Sequence, residues 1–186
     1  MVNVLLPLAD GFEELEAIAV IDILRRGGIE VVTASLRDDR GVRGAHGIGM
    51  LADALFADVE GKDFDAIVLP GGGEGTENLK NSDPLLKRLR RQHDERKLLC
   101  AICAAPTVLV EAGVLDPDIH VTCYPTCQME LDRPWESAPV VAERNVITGQ
   151  APGSAVLFGL VVLKALAGEA VARKVARGMV TDVFGQ

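Results

Sequence analysis

Short apolar runs recur along the chain, each followed by a turn and then a stretch with helical spacing. Residues 2–6 form the first run, and 11–26 follow with apolar positions at helical intervals. Gly27-Gly28 stops that helix, and β-branched residues fill 30–34. A third run, 65–69, closes on Pro70-Gly71-Gly72-Gly73. Asp83 as cap and Pro84 at the first helical position predict a charged helix over 84–95. Residues 97–102 read as a buried strand and 104–112 as a helix. Further strands are expected at 120–122 and 146–148, and closing helices at 152–167 and 169–180. Continuous apolar strands alternating with helices imply an α/β architecture: a mostly parallel sheet with helices on both faces. Residues 38–49 break the rhythm with scattered glycines and mixed charge, and are expected to form a hairpin or loop excursion. No repeat, low-complexity tract or linker interrupts the pattern, so a single domain over 1–186 is expected.

Composition narrows the function classes. Lys and Arg number 19 against 27 Asp and Glu, a net charge of −8, and aromatics are 4%. That balance argues against nucleic-acid and anionic-membrane partners. No apolar run is long enough to span a bilayer, and no basic region precedes the first apolar run as in a signal peptide. Four cysteines in a chain of this length do not form a disulfide framework; reduced thiols and a cytoplasmic location are expected.

In open α/β sheets, ligands sit beyond the carboxyl ends of the strands. The residues there include Asp10, Gly71 to Gly75, Cys103, Tyr124, and Gln150 to Gly153. Cys103 follows an apolar strand, and Ala101 and Ala105 stand two residues to either side. Small neighbours suit a nucleophile on a sharp strand-to-helix turn. A helix N-terminus favours thiolate, so the Cys103 pKa is expected below that of a free cysteine. Read alone, the segment fits an inert buried thiol as well. At 100° per residue, Glu16 falls among Phe12, Val20 and Ile23, whereas Glu13 and Glu14 can lie towards less apolar sectors. Burial keeps a carboxyl protonated, and such a group can donate a hydrogen bond to a thiolate and act as a general acid. Gly71-Gly72-Gly73-Glu74-Gly75 lets backbone N–H groups approach a ligand, and the Gly72 and Ala104 amides together fit an oxyanion hole. A plain turn fits the same glycines. A phosphate cradle does not, because Glu74 repels phosphate and no Gly-Lys-Ser/Thr ending follows.

Together these stretches resemble the DJ-1/PfpI superfamily, most closely its DJ-1 and YajL-like branch. The resemblance rests on Gly11-Phe12-Glu13-Glu14-Leu15-Glu16, Ile67-Val68-Leu69-Pro70-Gly71-Gly72, Ala101-Ile102-Cys103-Ala104-Ala105-Pro106-Thr107 and Gln150-Ala151-Pro152-Gly153-Ser154. It implies a flavodoxin-like fold, a homodimer, a reactive cysteine at Cys103, a protonated glutamate at Glu16 and an oxyanion-hole glycine at Gly72. It also implies cofactor-free chemistry on 2-oxoaldehydes or glycation adducts, so that the partners are a small reactive carbonyl or a glycated side chain. No metal or organic cofactor is expected. The sequence departs from DJ-1 in having Tyr124 where DJ-1 has a histidine, and a phenol is a poor base near neutral pH. His46 stands in a loop where DJ-1 has an arginine; it reads as an exposed loop residue or as a neighbour of the pocket, with Arg26 approaching from a partner subunit. Tyr124, His46, Arg26, Gln150 and Pro152 are the expected pocket or rim residues.

Rival chemistries fit less well. Cys100 and Cys103 are formally C-x-x-C, and Cys123 and Cys127 are C-x-x-x-C, but the first pair is embedded in an apolar strand rather than a helix start. Among the histidines, His46, His93 and His120, none follows position 120, where an amidotransferase pair would stand, and Ala104 replaces the histidine that follows the nucleophile in PfpI-type peptidases. A non-enzymatic reading shares the same site: oxidation of Cys103 to a sulfinate, with the protein acting as an oxidative-stress sensor or redox-regulated chaperone.

Overall fold

A computed structural model describes residues 2–181. Among the described residues the strands are β1 (Asn3–Leu8), β2 (Glu30–Ser35), β3 (Gly41–Arg43), β4 (Gly49–Leu51), β5 (Ala54–Leu55), β6 (Ala66–Leu69), β7 (Leu98–Ile102), β8 (Val140–Glu143) and β9 (Val146–Gly149). The helices are α1 (Glu14–Arg26), α2 (Gly73–Lys80), α3 (Asp83–Asp94), α4 (Pro106–Glu111), α5 (Gln128–Leu131), α6 (Ala155–Ala167) and α7 (Glu169–Gly178).

Seven strands form one sheet in the order β5-β2-β1-β6-β7-β9-β8, parallel except for β8. Side chains alternate across it because the strand period is two. Val4, Leu6, Leu8, Val68, Cys100 and Ile102 pack on one face against α1, α6 and α7. Leu5, Ile67, Leu69, Leu99 and Ala101 pack on the other, beneath α3 and α4. Both faces are therefore dry, which is why these strands read as unbroken apolar runs.

The 38–49 excursion is the antiparallel β3–β4 hairpin, with Val42 paired to Met50. Three expectations are corrected. Residues 120–122 form no strand: only Val121 bridges, to Trp135. The place beside β9 is taken by β8, which returns through Arg144-Asn145 with Arg144 at φ 55°. The helix over 84–95 begins at Asp83 and is capped by Ser82, whose side chain accepts from Leu85 N. The glycine run after β6 is more than a turn, because Gly73 opens α2. Its glycines are weak helix formers; packing of Thr76 and Leu79 into the protein overrides that propensity.

Candidate functional site

Cys103 ends the β7 segment in a backbone conformation that side chains rarely adopt, with φ 64°. Its N–H donates to Gly149 O at 2.9 Å, and its carbonyl accepts from Tyr124 N at 2.8 Å. The turn is thus clamped from both sides, which over-determines the strained geometry. The clamp also brings the chain leading into Gln150 and the Pro152–Ser154 turn alongside the cysteine. Cys103 is largely buried, with 9% of the residue exposed.

Glu16 is fully buried in the first turns of α1. Its Oε2 accepts from Gly71 N at 2.7 Å, while its Oε1 has no hydrogen-bond partner. A reciprocal clasp seats it: Glu13 N donates to Gly71 O at 2.9 Å, and Glu13 Oε2 accepts from Glu16 N at 2.7 Å. Gly71 lies between acid and thiol. A Cβ there would stand 2.7 Å from Cys103 Cβ and 2.8 Å from Glu16 Oε2. Gly72 has φ 94°, and a Cβ on it would collide with Gly11 O and lie 2.8 Å from Glu13 N. The N–H groups of Ala104 and Gly72 are directed at the Cys103 sulfur.

The electrostatics correct one expectation. Burial pushes the Glu16 carboxyl up to about 7 against the Gly71 hydrogen bond, as its apolar surroundings in the sequence suggest. Burial also pushes the Cys103 thiol up, and the Glu16 charge pushes it further; the two amides only partly oppose this. The sulfur is therefore not a free low-pKa thiolate at a helix N-terminus. The carboxyl is the more acidic member of the pair, at about 7, and its charge works against a second charge on the sulfur. The Ala104 and Gly72 amides act the other way, favouring charge on the sulfur without outweighing its burial.

Glu14 departs from expectation more sharply. It is buried, covered by the β3–β4 hairpin. Its carboxylate accepts from His46 N at 2.7 Å and Ile48 N at 3.3 Å and meets the His46 ring at 2.8 Å. These bonds outweigh its burial and hold its pKa down at about 2. A helical wheel cannot find this, because the covering hairpin lies thirty residues on in the chain. His46 is exposed at its ring, in keeping with a loop residue, yet it is tied to Glu14. Tyr124 is 43% exposed at the start of a short 3-10 turn. Arg26 is not brought to the site within one chain. It pairs with Asp22 in the last turn of α1, ten residues beyond Glu16 and about 15 Å along the axis.

The rival thiol chemistry gains nothing from the geometry. All four cysteines are free, and Cys100 is wholly buried in the core, where burial pushes its thiol up.

Strand order and cysteine turn define a flavodoxin-like α/β protein with a strained thiol at the carboxyl end of its sheet. The chain belongs to the DJ-1/PfpI family, whose sequence model matches residues 2–165. It is 37% identical over 180 residues to Protein dj-1beta of Drosophila melanogaster, covering 95% of this chain and 96% of that one. The same identity holds to Protein DJ-1 homolog B of Arabidopsis thaliana, over 96% of this chain, but the chain spans only 41% of that longer relative. A Caenorhabditis elegans relative, 34% identical over 89% of this chain and 88% of its own, is named glutathione-independent glyoxalase DJR-1.2. Among solved structures, Drosophila melanogaster DJ-1beta superposes with TM-score 0.93 at 36% identity, covering 97% of this chain and 98% of that one. Oxidised Toxoplasma gondii DJ-1 does so with TM-score 0.93 at 35% identity, over 97% and 99%. No helix among the described residues is long and apolar enough to cross a membrane.

Proposed function

We propose that the protein acts on small reactive carbonyls, 2-oxoaldehydes or the early glycation adducts they form, by addition of the Cys103 sulfur. The observation that carries this reading is the buried acid–thiol pair flanking Gly71, with the Gly72 and Ala104 amides aimed at the sulfur. The Glu16 carboxylate takes the Cys103 proton as the sulfur adds to the aldehyde carbon. A carbon–sulfur bond forms, and the carbonyl π electrons move onto oxygen, where the two amides hold the charge and Glu16 supplies the proton. The aldehydic hydrogen then leaves carbon as a proton to the Glu16 carboxylate and returns at the neighbouring carbon through an enediol. The resulting thioester is hydrolysed by water to a 2-hydroxy acid. The aldehyde is oxidised and the ketone reduced within one molecule, so no external redox partner enters. Tyr124 shapes the rim, and Gln150 and Pro152 line the approach. The name of the Caenorhabditis elegans relative supports this chemistry.

The test is turnover of methylglyoxal and of glycated thiol and amine adducts by wild type and Cys103→Ala, with buffer-only controls for spontaneous adduct loss. Hydroxy acid formed by wild type and not by the variant is expected; equal rates end the proposal.

A second reading rests on the partnerless Glu16 Oε1 beside the sulfur. A protonated Glu16 carboxyl would donate to an oxygen added to Cys103, which favours arrest at the sulfinate and a sensing role. Mass spectrometry after mild peroxide distinguishes the two: accumulation of sulfinate at Cys103 with negligible turnover favours sensing.

The reading includes a homodimer. Leu15 and Ile18 on α1 and Ile48 and Leu51 around the hairpin are each about half exposed or more, an apolar set that a second copy would cover.

A further inference from the structure

We infer that Glu13, Glu14 and His46 form a binding site for a divalent transition ion of the zinc type, at the join between α1 and the β3–β4 hairpin. One donor atom from each residue lies within 4.8 Å of the others. His46 Nδ1 is 2.8 Å from Glu14 Oε2 and 3.8 Å from Glu13 Oε1. An ion held tetrahedrally by nitrogen and oxygen at about 2.0–2.1 Å keeps its donors roughly 3.3 Å apart. The two observed separations bracket that value, so small rotations of side chains bring the three atoms into place.

Backbone N–H groups orient both carboxylates through the oxygens the ion would not use. Glu14 Oε1 accepts from His46 N and Ile48 N, and Glu13 Oε2 accepts from Glu16 N. One oxygen of each carboxylate is left facing the imidazole. Outer-shell bonds of this kind fix metal ligands in place. Charge points the same way: two carboxylates around one imidazole suit a divalent cation better than a single proton does. The carboxylates are sunk, with side chains 12% and 4% exposed, while the His46 ring is 71% exposed. The donor set leaves a fourth position to water. One imidazole and two carboxylates suit zinc and its neighbours rather than calcium or magnesium, which take all-oxygen shells.

The competing account is a plain His46–Glu14 ion pair that staples the hairpin, and one variant separates the two. His46→Arg keeps a cation beside Glu14 but has no lone pair to give a metal. Wild type is titrated with zinc by calorimetry and with cobalt by absorbance, and the His46 ring is followed by NMR. Cys103→Ser is run in parallel to remove the nearest competing thiol. We expect one zinc per chain, perturbed His46 ring resonances, no thiolate charge-transfer band with cobalt, and affinity unchanged in Cys103→Ser. His46→Arg should keep the metal-free melting temperature and weaken zinc binding about tenfold or more. Glu13→Gln should also weaken it. The inference is overturned if zinc does not bind, if His46→Arg binds it as wild type does, or if cobalt reports thiolate ligation that Cys103→Ser removes.

Discussion

Glu14 and Glu16 sit two positions apart on one helix and make opposite demands on pH. Glu16 is raised to about 7 from its unfolded value, so its contribution to stability is complete below the unfolded pKa and is lost as pH rises through 7. Glu14 is lowered to about 2, so its contribution is complete above the unfolded value and is lost as pH falls through 2. Glu16→Gln should therefore raise the melting temperature above about pH 7, by a stabilisation on the order of 3 kcal/mol, and leave it unchanged near about pH 4. Glu14→Gln should lower it at neutral pH, a deficit that fades towards about pH 2. Thermal melts across that range decide both; parallel shifts at every pH would contradict the assignment. Reactivity follows the same pair. The pH profile of Cys103 alkylation should inflect near 7 in wild type. In Glu16→Leu the carboxyl that titrates near 7 is gone, so that inflection should disappear. An inflection that persists near 7 would mean that the acid does not act on the sulfur. Cys103 and Glu16 were legible because each breaks its local rule: a thiol between alanines at a strand end, and a carboxyl in an apolar stripe. The thiol's upward shift was not legible. It depends on how deeply two distant segments bury one another.

At the scale of elements, the site is held by the loop between β6 and α2 as much as by the cysteine turn. Gly72→Ala must relieve a clash with Gly11 O as well as a left-handed backbone, and should cost about 2–4 kcal/mol in denaturant unfolding. Gly71→Ala places a methyl between Cys103 Cβ and Glu16 Oε2, so it should abolish the alkylation inflection near 7 even if the fold survives. Normal alkylation in that variant would show that the gap between acid and thiol is not needed. The parallel strands were readable because both their faces are apolar. Strand β8 was not, since its four residues, Val-Val-Ala-Glu, lie at a sheet edge and only Val141 among them is buried. Helix α2 was hidden by Gly73 and Gly75, whose low propensity is overcome by the packing of Thr76 and Leu79 and by the close approach of Gly75 to the segment around Gly11.

For the whole molecule, large apolar side chains left exposed among the described residues include Leu15 and Ile18 on α1 and Ile48 and Leu51 around the hairpin. Ile18→Glu combined with Leu15→Glu should convert a dimer to a monomer in sedimentation equilibrium at micromolar concentration while leaving the circular dichroism unchanged. A wild type that is already monomeric, or a double variant that still dimerises, would remove that assembly. Helix α1 carries this surface on its outside and Glu16 on its inside, with Glu13 lacing its first turn to Gly71. A rod gripped at both flanks transmits displacement. A second chain pressed onto the outer flank would fix the acid's position at the sulfur, and dilution that separated the chains would loosen that fit. Labelling speed at Cys103 should then vary with how much protein is in the tube.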